Sequence, residues 1–129
     1  MFHFLTAFFF FGLGLGLPDT DAFIMSSKSE GLPMSLLQAF SLGLPAIVTN
    51  VGGMAEVVRL ARAGFTVSVT DPTEMVSAIL RLASNMAERE RFSMNAEAAF
   101  RSRFTLQTMV DSYMAIYRNT LRAGRVAKP

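Results

Sequence analysis

Three short apolar runs, "DAFIMS" from Asp21, "AIVT" from Ala46 and "FTVSV" from Phe65, are separated by two segments with helical spacing. Runs this short, bounded by Gly, Pro and Ser, suit strands buried on both faces. A strand, helix, strand, helix, strand order implies right-handed crossovers, so the expected fold class is α/β, a Rossmann-like parallel sheet with flanking helices. Turn chemistry marks the boundaries. "SKSEG" supplies a loop after the first run, and Pro33 suits the first helical position because its fixed φ and missing N–H are harmless there. That helix is expected to reach about Leu42, with Gly43 as its left-handed stop and Pro45 opening the second strand. "NVGG" then turns into a helix of about "MAEVVRLAR", which Gly64 is expected to end.

Beyond Val69 the pattern becomes helical only. Asp71 is a candidate N-cap with Pro72 behind it, and Met75, Ile79, Leu82 and Met86 recur at intervals of three and four, as a helix packed on the sheet requires. "AERERFSMNAEAAFRSRF" is more charged, with a stripe of Phe92, Ala96, Ala99, Phe100 and Phe104, and Thr105 can cap a last helix, "LQTMVDSYMAIYRNTLR". The chain therefore divides into an apolar segment of uncertain role (1–18), one domain (19–122) with a helical C-terminal end, and a tail expected to be frayed (123–129).

The 129 residues are enough for one hydrophobic core, and 51% apolar against 17% charged residues excludes a disordered chain. The net charge of +2 gathers near the end, at Arg118, Arg122, Arg125 and Lys128, rather than on one helix face, which argues against nucleic acid as a partner. Without cysteine, and with His3 as the one imidazole, disulfides, thiol chemistry and the common zinc clusters are excluded, and no metal or cofactor is expected. The composition fits a cytoplasmic setting. The opening "MFHFLTAFFFFGLGLGLP" has neither helical nor strand periodicity. Three readings stand: a buried strand plus linker from a larger domain, a membrane-directed or signal-like segment with peripheral membrane contact, or an aberrant start.

In doubly wound sheets, ligands bind beyond the carboxyl ends of the strands, where loops lead into helices. Glu30 stands there, ahead of a helix start with unpaired, partly positive N–H groups. A diphosphate could dock on the N–H groups of Met34, Ser35 and Leu36, while Glu30 would accept hydrogen bonds from neutral hydroxyls beside it. Hydroxyls next to a diphosphate suggest a nucleotide sugar. The alternative is that Glu30 merely interacts with the helix dipole, that Gln38 is an ordinary helix residue, and that Gly52-Gly53 and Glu56 make an ordinary turn and solvated acid.

The order "SSKSEGLPMSLLQAFSLGLPAIVTNVGGMAEVV" resembles the donor-binding half of family-4 (group 1) glycosyltransferases of the GT-B architecture. Pieces matching S-E-G-x-P, L-L-E-A, G-x-P-V-V and G-G-x-x-E occur in order, and the likeness extends loosely from Asp21 to Tyr117. The resemblance implies an incomplete GT-B C-terminal domain that holds a nucleoside-diphosphate sugar for retaining transfer. Glu30 would be the catalytic-site acid on the sugar hydroxyls. Gly31, Leu32, Met34, Ser35 and Leu36 would line the diphosphate, Gln38 the ribose, and Gly52, Gly53 and Glu56 the nucleotide. The family has a second glutamate where this chain has Gln38, so an uncharged acceptor faces the ribose and binding should weaken. The family's Arg/Lys pair for the leaving diphosphate and its acceptor-binding half have no counterpart in this sequence. The chain is therefore expected to be inactive alone and to need a missing N-terminal acceptor domain or upstream half. A rival expectation is a non-catalytic assembly module or degenerate remnant that docks a partner through its sheet edge and Phe-rich front.

Overall fold

The computed structural model describes the backbone of residues 4–6 and 20–126 and the side chains of residues 20–121. The remainder of the apolar front, and residues 127–129 of the tail expected to be frayed, lie outside the described residues. A four-stranded parallel sheet carries the domain in the order β1 (Phe4–Thr6), β2 (Ala22–Met25), β3 (Ala46–Thr49), β4 (Gly64–Val67). Two helices connect these strands, α1 (Met34–Ser41) between β2 and β3 and α2 (Gly52–Ala61) between β3 and β4. Three follow: α3 (Pro72–Ser84), α4 (Met86–Arg103) and α5 (Leu106–Val126).

Each crossover steps one strand in the same direction, so same-handed connections place α1 and α2 on one face of the sheet. Side-chain alternation agrees with that geometry. Phe23, Met25, Ala46 and Val48 point into one core with Leu36, Phe40, Met54 and Val58 of α1 and α2. Ala22, Ile24, Ile47 and Val67 point the other way, onto Ala78 and Leu82 of α3. The register matches, because Phe23 lies beside Ala46 and Ile24 beside Ile47.

Helix α4 joins the two cores. Phe92 packs with α3, whereas Ala96, Ala99 and Phe100 pack with α1 and α2. Between those faces it passes beneath the amino ends of the strands: Arg89 meets Asp21 before β2 (3.8 Å), Ser93 lies against Gly43 before β3, and Asn95 Nδ2 donates to the Arg62 carbonyl before β4 (2.8 Å). At the α3–α4 corner Glu88 is buried and accepts both Arg81 Nε (2.8 Å) and Nη2 (2.7 Å). Glu88, first by hydrogen bonding and then by charge, raises the Arg81 guanidinium above its ordinary pKa. The same Arg81 covers the Phe65 ring, which meets Phe92 edge-on at 5.2 Å.

The roles expected of Pro33 and Gly64 are corrected. Pro33 is extended (ψ 136°) and serves as the N-cap, so α1 begins at Met34. Helix α2 ends through Arg62 in the left-handed region (φ 51°), not through Gly64. Gly64 is committed elsewhere, in β4 against Ala46, where a Cβ would fall 1.7 Å from the Ala46 oxygen. The Asp71 cap forms as expected, accepting from Thr73 N (2.9 Å) and Thr73 Oγ1 (2.6 Å). Those bonds, the hydroxyl's first, hold the Asp71 carboxyl below its ordinary 3.8. A depressed folded pKa stabilises the fold above the unfolded value and fades as pH falls through the folded one. The stability gap between wild type and Asp71→Asn should therefore narrow below about pH 4; acid titration monitored by circular dichroism measures it, and a pH-independent gap contradicts it.

Thr105 caps α5, its Oγ1 accepting from Thr108 N (3.2 Å), and α5 runs on to Val126, past the expected onset of fraying. Its apolar stripe, with Leu106, Tyr113, Ile116 and Tyr117, is exposed. Among the described residues no helix is long and apolar enough to cross a membrane.

Candidate functional site

The loop from Ser26 to Pro33 leaves the carboxyl end of β2, and the short turn Asn50-Val51 leaves that of β3 beside it. Two helix N-termini meet there. Gly31 O accepts from Met54 N (3.0 Å), the third residue of α2, which ties the Glu30 loop to the second helix. Gly52 sits so close to that loop, with φ 53°, that a Cβ would lie 1.7 Å from the Glu30 oxygen, and Gly53 is pressed on Gly31 in turn.

Helix α1 has no side-chain cap at its start. Leu36 N donates to Pro33 O (3.1 Å), so of the three N–H groups singled out in the sequence, those of Met34 and Ser35 precede the first bond inside the helix. Both helices thus direct partial positive charge towards the carboxyl end of the sheet. Glu30, half-buried, stands beside it, and Ser27 Oγ donates to its Oε2 at 3.4 Å. Ser27 is held in turn, since its carbonyl accepts from Oγ1 of the buried Thr49 at 2.5 Å.

The structure brings Glu30, Gly31, Gly52 and Gly53 together and places Leu32 within reach, its Cβ 3.6 Å from a Cβ built on Gly53. Met34 is exposed and Ser35 half-buried, whereas Leu36 has its side chain in the core and its N–H bonded to Pro33 O, so against expectation Leu36 has no free donor for a ligand. Gln38 and Glu56 are both exposed, further along α1 and α2. Arg59 and Arg62 are exposed at the far end of α2, near the amino ends of the strands. Lys28, exposed in the loop that carries Glu30, is the nearest cation in sequence. Sequence reasoning missed Ser27 and Thr49; a hydroxyl closing the apolar run "AIVT" was the available signal.

The family model described as glycosyl transferases group 1 matches residues 17–99, which contain the Glu30 loop and the starts of α1 and α2. The chain belongs to this family. Among the relatives of this group 1 glycosyltransferase chain is the N-acetyl-alpha-D-glucosaminyl L-malate synthase of Bacillus anthracis, 27% identical over 87% of the chain. The O-antigen biosynthesis glycosyltransferase WclY of Escherichia coli is 29% identical over 82%. The chain spans 29% of the length of each. The sucrose-phosphate synthase structure from Thermosynechococcus elongatus superposes with a TM-score of 0.73 at 21% identity, covering 81% of this chain and 26% of that one. This likeness confirms a GT-B-like fold.

Proposed function

We propose that this chain is the donor-binding part of a retaining, metal-independent glycosyltransferase whose donor is a nucleoside-diphosphate sugar. The observation that carries the reading is the juxtaposition of one carboxylate, Glu30, with the uncapped start of α1 and the glycine turn of α2 at the carboxyl end of the sheet. The diphosphate rests on the Met34 and Ser35 N–H groups, where the helix dipole favours an anion. Glu30 is kept from the phosphate by charge and accepts hydrogen bonds from sugar hydroxyls. Gly31, with open space where a Cβ would stand, permits close approach of the diphosphate beside Leu32, Gly52 and Gly53 let α2 seat against the Glu30 loop, Gln38 accepts from the ribose without charge, and Glu56 lies on the nucleotide side.

The chain alone should not turn over, because departure of the diphosphate develops charge that fixed cations must stabilise. Arg59 and Arg62 are at the wrong end of α2, and Lys28 is a single solvated cation. The expectation is millimolar or weaker binding of UDP- or GDP-sugars, detected by ligand-observed NMR. Glu30→Gln should remove the preference for the sugar nucleotide over the plain nucleotide, by roughly three- to ten-fold if a charged hydrogen bond becomes a neutral one. Sugar transfer by the purified chain would refute the claim of inactivity.

A second reading, a non-catalytic assembly module, is favoured by the exposed stripe of α5 and the groove of about 590 Å³ between α5 and Met34 and Leu37 of α1. A discrete complex with a separate acceptor-domain polypeptide on size exclusion would support it.

A further inference from the structure

We infer that Ser27 and Thr49 are positioning residues that set the orientation of the Glu30 carboxylate, an inference that rests on the donor-binding reading above.

Glu30 belongs to a loop with no regular ladder, and a glutamate there has three side-chain torsions to restrict. The loop is restrained at three separate points, all from the β3–α2 segment. Thr49 Oγ1 donates to Ser27 O (2.5 Å) across 22 positions of sequence, Met54 N donates to Gly31 O (3.0 Å), and Gly52 abuts the Glu30 carbonyl. These restraints hold the backbone on either side of Glu30. Among the described residues one hydrogen bond reaches the carboxylate itself, from the Ser27 hydroxyl to Oε2 at 3.4 Å.

Thr49 acts one step further back. It is the last residue of β3, is 4% exposed and faces the α3 side of the sheet with its register partner Val67, yet its hydroxyl is turned to the Ser27 carbonyl. A valine of the same shape would fill the space but leave that carbonyl without its donor. Ser27 is thereby anchored through its carbonyl while its hydroxyl is free to meet Glu30. The relay runs from the rigid strand to the mobile torsion of the acid. The remaining Glu30 oxygen, Oε1, then stays available to a donor hydroxyl, since a carboxylate accepts at both oxygens.

The decisive comparison is between ligands that do and do not carry the sugar. Affinities of the 129-residue chain for UDP-glucose, GDP-mannose, UDP and GDP are measured by ligand-observed NMR for wild type, Ser27→Ala, Ser27→Thr, Thr49→Val and Thr49→Ser. Ser27→Ala and Thr49→Val should lose roughly two- to ten-fold towards the sugar nucleotide and keep their affinity for the plain nucleotide, with the hydroxyl-bearing Ser27→Thr and Thr49→Ser restoring most of it. An equal loss for both ligand types would mean a general disturbance of the Glu30 loop, and no loss would mean that the relay does not govern Glu30; either overturns the inference. A wild-type chain with no preference for the sugar nucleotide would instead overturn the donor-binding reading. Thr49→Ser guards against a folding artefact, because it keeps the hydroxyl while removing one methyl.

Discussion

Gly52→Ala should lower stability by about 2–4 kcal/mol and abolish binding of a nucleotide sugar, through left-handed strain and overpacking together. The methyl group would lie 1.7 Å from the Glu30 oxygen, and the clash is with backbone, which cannot rotate out of the way. Either the Ser26–Pro33 loop withdraws from α2 or α2 unwinds its first turn. Both movements break the bond from Met54 N to Gly31 O and separate the carboxylate from the helix start. Urea unfolding and ligand-observed NMR on the same variant measure the two consequences. Gly31→Ala is the natural control, since a Cβ there meets nothing within 4 Å. Stability should survive in that control, so any loss of affinity reports on space the donor needs. A Gly52→Ala protein with wild-type affinity would show that the two loops need not touch.

Phe40→Ala is expected to cost about 3–5 kcal/mol, the usual range for emptying a buried aromatic site. Phe40 is fully buried in the core between α1 and the sheet, with Phe23 and Val48 in the same cluster. A domain of this size has only about 5–15 kcal/mol in total, so the variant should be partly unfolded at moderate temperature. Leu60→Ala makes the comparison informative. That leucine is 61% exposed on α2, and its loss should stay within about 0.5 kcal/mol. Thermal unfolding separates the two, and equal effects would contradict the placement of the core.

Because α1 carries both Phe40 on its buried face and the Met34 and Ser35 N–H groups at its start, core and site are linked. A helix that loosens at Phe40 no longer aims its N-terminus. Donor affinity in Phe40→Ala should therefore fall in step with the folded population, whereas in Gly52→Ala it should fall further than unfolding explains.

Much of this architecture could be read residue by residue. Asp71 and Pro72 announce α3, Gly43 takes the left-handed stop of α1, Thr105 caps α5, and the alternation of apolar runs with helical segments yields a parallel sheet. The place of Glu30, after the first central strand and just ahead of a helix start, could be read in the same way. The errors share one cause. Gly64 looked like a helix stop because glycine tolerates left-handed backbone, but its missing side chain serves the approach of β4 to Ala46, and Arg62 takes the left-handed position at the end of α2. The stripe read on α4 divides between two cores, Phe92 in one and Ala96 in the other, because the helix crosses beneath the sheet.

By itself, then, the order of residues determined the elements, their caps, the alternation along each strand and the acid at the helix start, all of which depend on bonds within a turn or two of chain. Tertiary structure alone decided that Thr49 reaches Ser27, that Gly52 abuts Glu30, and that α4 closes the end of the sheet opposite the Glu30 loop. Such contacts depend on the twist and spacing of packed backbones, and residue type along one segment carries no record of what another segment brings against it.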